Sequence, residues 1–257
     1  MTLLHAMDGG ELSLEIDVDQ GARISSINFR GFECAVPFRG QPLTWGWYPM
    51  LPWAGRIRNG EINSPQGKTF QLPTNLAPPH AIHGFGLTSP WQEIGTGAFA
   101  IDFPEPFNGA RAEQRFEILD NALRWSIEYE AGDCDLPFSL GFHPWFPREL
   151  ERGSSVEIDF VAEKMFERGS DYLPTGKLVT PTPPPWDDAF TQVRGVPRVF
   201  WEDALQIEIE SDAAYWVVYD QDPDGVCIEP QTAPPDAANL GIVGESYVEA
   251  LFVFQEI

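Results

Sequence analysis

The chain has 257 residues, enough to bury a sizeable core with a pocket inside it. Its formal charge of −23 excludes a nucleic-acid partner, whose phosphates it would repel, and disfavours anionic membrane surfaces. With 24 Pro and 23 Gly, the sequence implies many short elements rather than long helices.

In chain order, the opening "MTLLHAMDGGELSLEIDVD" lacks a basic segment followed by a continuous apolar one. No secretory signal is expected, no apolar run is long enough to span a bilayer, and a cytoplasmic location follows. Cys34, Cys134 and Cys227 are widely spaced and form no C-x-x-C pair, so reduced thiols are expected.

Leu12, Leu14, Ile16 and Val18 alternate with Ser13, Glu15 and Asp17, which predicts a half-buried strand. The same period of two recurs at Leu123–Tyr129, at Val156–Phe160 and at Leu205–Ile209. The tail "SYVEALFVFQEI" starts with alternation and becomes almost continuously apolar, which predicts a central strand buried on both faces. Breakers such as "PTNLAPPHAIHG", "TPTPPPWDDAF" and "QDPDG" fall between these runs and read as loops. No stretch carries a capped helical period, and no linker or repeat divides the chain. The expectation is all-β: one large antiparallel β-sandwich domain over residues 1–257.

Residues able to do chemistry gather in the aromatic, loop-like stretches. They are Arg56 in "PWAGRIRNG", His83 in "HAIHGFG", His143 in "GFHPWF", Asp187 in "PWDDAF" and Glu229 in "CIEPQT". Each has a bland alternative: a core histidine, a surface ion pair, or a turn-forming aspartate after prolines. Glu229 follows "VCI" at a strand end, where a buried carboxylate is costly without a purpose. Trp45, Trp47, Tyr48, Trp53, Trp91, Trp145 and Trp186 suggest flat platforms for the apolar face of a sugar ring, or core packing. A metal site built from His80, His83, His143 and Glu229 is a competing reading. His80-x-x-His83 in a loop, without an H-x-H strand motif, gives it little support, and no metal is expected.

In order, "GARISSINFRG", "GRIRNGEI", "LPTNLAPPHAIHGFG", "GFHPWF", "LPTGKLV", "WDDAF" and "CIEPQTAPPDAANL" resemble the motifs of the aldose 1-epimerase (galactose mutarotase-like) family over nearly the whole chain. The resemblance implies a galactose mutarotase-like sandwich, no cofactor, and a small-molecule sugar as substrate. It matches Glu229 to the general base at the anomeric hydroxyl and His143 to the general acid at the ring oxygen. Arg56, His83 and Asp187 match residues that hydrogen-bond the sugar. His143 would then start protonated, a form that nearby carboxylates favour.

Two departures bear on which sugar fits: Gly55 stands where the family often has Asn, and Asp188 where a His commonly follows the aspartate. The leading expectation is anomer interconversion of a free hexose. A hexose-6-phosphate mutarotase, with Arg23, Arg30, Arg39 or Arg58 around the phosphate, and a non-catalytic sugar-binding module are the alternatives.

Overall fold

Each alternating stretch has one apolar face, and two such faces can leave water together only by packing sheet on sheet. The structure, a computed structural model, describes residues 3–257. Leu12–Asp17 buries Leu12, Leu14 and Ile16. Val18, expected to continue that strand, instead opens the 3-10 turn Val18–Gln20, whose Gln20 N–H is capped by the Asp17 carboxylate. Among the described residues the only α-helix is Ala237–Leu240, and no helix is long and apolar enough to cross a membrane.

Among the described residues, seventeen strands form one antiparallel sheet folded back on itself, and two small two-stranded sheets, Arg56–Ile57 with Ala81–Ile82 and Glu61–Asn63 with Thr69–Gln71, stand beside it. It begins at Gln92–Gly95 and passes through Ala98–Asp102, Arg111–Leu119 and Ala122–Glu130. It then crosses Tyr247–Glu256 and Leu205–Glu210 to reach Asp187–Trp201. This 15-residue strand pairs with Leu205–Glu210 through its second half and with Tyr215–Tyr219 through its first. From there the ladder runs through Gly225–Gln231, Gly141–Pro147 and Trp47–Met50 to Arg23–Phe29 and Leu12–Asp17.

Asp187–Trp201 therefore belongs to both sheets, and their inner faces meet. Trp125 of the first packs on Phe142 of the second with ring centroids 4.4 Å apart, and Phe252 packs on Trp47 at 4.8 Å. The fold is the expected large antiparallel β-sandwich. The tail differs from expectation in one respect. Tyr247–Glu256 is central, but only Val248, Ala250, Phe252 and Phe254 are fully buried. Leu251 and Val253 lie half-buried on an outer face that also carries the Arg124–Glu249 ion pair, so one face of this strand remains near water.

Alternation also explains "GFHPWF". Phe142 and Phe146 join the inter-sheet core, which leaves Gly141, His143 and Trp145 on the opposite face of Gly141–Pro147. The core half of this strand should therefore carry stability and the other half chemistry. Phe142→Ala removes a fully buried ring and should lower the unfolding free energy by about 3–5 kcal/mol. Urea denaturation reads this directly, and a loss below about 1 kcal/mol would contradict the packing.

Candidate active site

Strand register assembles the site. His143 faces Tyr48 across one strand boundary. Across the other, the pairs Gly141–Gln231 and Trp145–Cys227 bracket His143 opposite Glu229. Glu229 faces Val217, and Val217 faces Ala189. One row, Tyr48–His143–Glu229–Val217–Ala189, thus crosses five strands on one face. A second row, Trp145–Cys227–Tyr219–Asp187, runs beside it.

All of these residues except Cys227 line a cavity of about 290 Å³, a size suited to a small molecule. All five residues singled out from the sequence line it: Arg56, His83, His143, Asp187 and Glu229. His143 Nε2 lies 3.3 Å from Glu229 Oε1, and both side chains are almost fully buried. The Gln231 amide donates to Glu229 Oε2 at 3.0 Å. His143 is sandwiched by aromatic rings, stacking on Tyr48 at 4.5 Å and on Trp145 at 5.4 Å.

His83 is fixed by a reciprocal clamp: its N–H donates to the Gly55 carbonyl, and its Nδ1 accepts from the Gly55 N–H. A steric contact beside this clamp accounts for one departure from the family pattern. Gly55 has φ +70°, and a Cβ there would lie 2.7 Å from the Pro235 ring, so no larger side chain fits. The other departure, Asp188, faces Arg168, whose Nε lies 3.5 Å from Asp188 Oδ1.

Arg168 is the site residue that sequence reasoning missed. Its Nη1 donates to the Asp187 carbonyl at 2.9 Å and lies 3.6 Å from Asp187 Oδ2. Arg56 approaches the same carboxylate oxygen at 3.7 Å. Asp187 therefore sits between two guanidiniums. The only signal for Arg168 in the sequence is its place at the end of Glu157–Arg168, a strand that returns beside Asp187–Trp201.

Other expectations are corrected. Asp187 and Asp188 begin a strand rather than form a turn. Of the proposed aromatic platform only Tyr48 and Trp145 line the cavity, while Trp45, Trp47, Trp53 and Trp91 are packed into the protein. Trp186 packs on Phe160 and Phe190 instead. His80 stands apart, its Nδ1 accepting from the Asn59 N–H, so the set of three histidines and a carboxylate does not assemble.

None of the four arginines considered for a phosphate lines the cavity. Arg23 is buried and donates to the carbonyls of Gln20, Pro42, Trp45 and Leu87. Arg30 pairs with Glu11, Arg39 with Asp222 and Asp224, and Arg58 with Asp171 and Asp236.

Burial dominates the electrostatics. It pushes the Glu229 carboxyl well above the usual range, and the Asp187 charge adds to this, while the Gln231 bond and Arg56 oppose it. Burial lowers His143 to about 3, with the charges of Arg23 and Arg56 acting the same way. His83 is held well below its ordinary value by burial, then by His143 and Arg56. Asp187 is raised by burial despite Arg56 and Arg168. The Cys227 thiol is raised by burial, then by Glu229.

Burial therefore works against the protonated His143 that the resemblance implied. Both shifts point to the neutral form of the pair, a carboxylic acid beside an unprotonated imidazole sharing one proton. Its ionic form, carboxylate and imidazolium, differs only in where that proton sits.

The chain matches the Aldose 1-epimerase family profile over residues 7–246, and it belongs to that family. Among curated relatives it is 25% identical to the uncharacterized protein YihR of Escherichia coli strain K12, over 88% of this chain and 82% of that one. Among solved structures, a candidate aldose 1-epimerase from Escherichia coli K12 covers all of both chains at 20% identity, with a TM-score of 0.84. A galactose mutarotase-like protein from Clostridium acetobutylicum covers 100% of this chain and 99% of its own at 16% identity, with a TM-score of 0.78.

The buried pair has a pH signature. The fold favours neutral His143, which contributes stability that is present above the unfolded value of about 6.5 and is lost as pH falls toward about 3. Two-dimensional NMR of ring-labelled protein should show His143 unprotonated from about pH 8 down to about pH 5. His143→Asn should remove part of the stability lost on acidification. A His143 titration near its ordinary value would contradict the site as described.

Proposed function

We propose that this protein is a mutarotase that interconverts the α and β anomers of a free hexose by acid–base ring opening in one domain spanning residues 1–257. The observation that carries the proposal is the His143–Glu229 pair, 3.3 Å apart at the floor of a sugar-sized cavity, in a chain of the aldose 1-epimerase family.

The mechanism follows from the single mobile proton. With sugar hydroxyls bound, that proton passes to His143, leaving Glu229 as a carboxylate. Glu229 takes the proton of the anomeric hydroxyl while His143 gives its proton to the ring oxygen, and the C1–O5 bond breaks. The aldehyde rotates about C1–C2. Closure on the other face returns both protons, so the reaction balances without a cofactor.

Arg56, His83 and Asp187 hydrogen-bond the sugar and fix which oxygen meets which group, and Arg168 holds Asp187 in place. Trp145, stacked beside His143, offers its face to the apolar side of the ring.

The base role is tested by Glu229→Gln, which keeps the shape and cannot accept the proton. Turnover should fall by about 10²–10⁴-fold, measured by NMR anomer exchange, while sugar binding stays measurable by calorimetry. Near-parental turnover would remove Glu229 from the role.

A second reading, a hexose-6-phosphate mutarotase, gains support from one observation: Arg168 is a second guanidinium in the cavity. Its charge and that of Arg56 are already matched by Asp187 and Asp188, beside which a phosphate dianion would be repelled. Glucose or galactose should therefore react faster than its 6-phosphate at both low and moderate salt. A phosphorylated sugar ahead by about tenfold at both salts would select the second reading.

A further inference from the structure

The face that carries His143 and Glu229 carries one reactive group that ring opening does not use. Cys227 lies two residues before Glu229 on the same strand, between Trp145 and Tyr219 in the second row, and is fully buried. Its thiol, a ring nitrogen of His143 and a carboxylate oxygen of Glu229 all lie within 4.8 Å of one another. All three are buried, and the Gln231 amide that donates to Glu229 leaves its own Oε1 without a hydrogen-bond partner.

The spacing suits a small tetrahedral ion. Zinc bonds of ~2.0 Å to nitrogen and oxygen hold those two atoms roughly 3.3 Å apart, and His143 Nε2 and Glu229 Oε1 are 3.3 Å apart. A zinc–sulfur bond of ~2.3 Å requires the sulfur to lie roughly 3.6 Å from each of them. The donor atoms lie within 4.8 Å of one another, so binding would require the sulfur to close the remaining distance. The donor set of one thiolate, one imidazole and one carboxylate is a zinc set, and two of its members, His143 and Glu229, line the cavity.

Charge decides in its favour. Zn²⁺ would displace one proton from the Cys227 thiol and the one mobile proton of the His143–Glu229 pair, releasing both to solvent as Zn–S, Zn–O and Zn–N bonds form. A doubly charged cation with two anionic ligands leaves the buried site neutral, as it was. The neutral charge of the bound set avoids leaving a lone ion buried at this spot.

We propose that His143, Cys227 and Glu229 form a zinc-binding site on the cavity floor, at which the ion occupies acid and base together and blocks turnover. The blocking half rests on the mutarotase reading, and the binding half does not.

The full-length protein, first dialysed against a chelator, is titrated with Cd²⁺ and with Zn²⁺. One equivalent of Cd²⁺ should produce the sulfur-to-cadmium charge-transfer band in the ultraviolet, and Zn²⁺ should raise the melting temperature. Cys227→Ala should abolish the band and weaken zinc at least tenfold by calorimetry. Cys227→Ser serves if the alanine variant does not fold, since the hydroxyl is a far poorer ligand. Zinc bound as tightly by the variant as by the parent would overturn the proposal and assign the ion to surface carboxylates.

In the activity arm, equimolar zinc should stop anomer exchange in the parent, a chelator should restore it, and Cys227→Ala should stay active at the same zinc level. Cysteine-dependent zinc binding by a protein that exchanges no anomers would sink the mutarotase reading and leave the site standing. Anomer exchange that zinc does not slow, with no cadmium band, would sink the site alone.

Discussion

A carboxyl and an imidazole 3.3 Å apart, removed from water, set the terms for everything around them. Neither can ionise alone without a large desolvation cost, so the two share a proton. The neighbours respect this. Glu229 accepts one bond from a neutral amide, Gln231, rather than from a guanidinium that would lock it as a carboxylate. Arg56 and Arg168 are held a layer away against Asp187, and His143 is flanked by the aromatic faces of Tyr48 and Trp145. The positive charges thus rest on Asp187 and do not fix Glu229 as a carboxylate.

The sheet supplies the rigidity this pair needs. Facing residues on antiparallel strands have their separation set by the backbone ladder, so the distance between His143 and Glu229 does not depend on a loop holding its shape. The same strands bury Phe142, Phe146, Val226 and Ile228 between the sheets. Core and chemistry are thus opposite faces of the same residues' backbone. The long strand Asp187–Trp201, shared by both sheets, places Asp187 at the edge of the same floor.

How much of this the sequence disclosed follows from which forces act locally. Alternation at Leu12–Ile16, Leu123–Tyr129 and Leu205–Ile209 reports burial of one face, and it disclosed the strands and the sandwich. The five site residues were legible because Gly, Pro and Trp flank each of them. Arg168 was not, since its position depends on a strand pairing that brings it beside a residue 19 positions later. Alternation cannot say how far the outer face of the last strand is covered, so Leu251 and Val253 were misjudged. The tryptophans misled for a related reason: a large ring fills a core as well as it lines a cavity, and composition does not distinguish the two. The expected protonation of His143 counted nearby carboxylates and left out the loss of water around the ring, which pulls it toward the neutral form.

The Gly55–Pro235 contact has a consequence for how such a site can change. A side chain at position 55 collides with the Pro235 ring, and Pro235 itself belongs to the segment that follows Glu229. The two positions are therefore sterically tied and cannot drift independently. A descendant of this chain that regained the asparagine of its family would first have to lose or shift the proline. Until then position 55 stays without a side chain, and the Pro235 ring remains part of the wall of the cavity that holds His143 and Glu229.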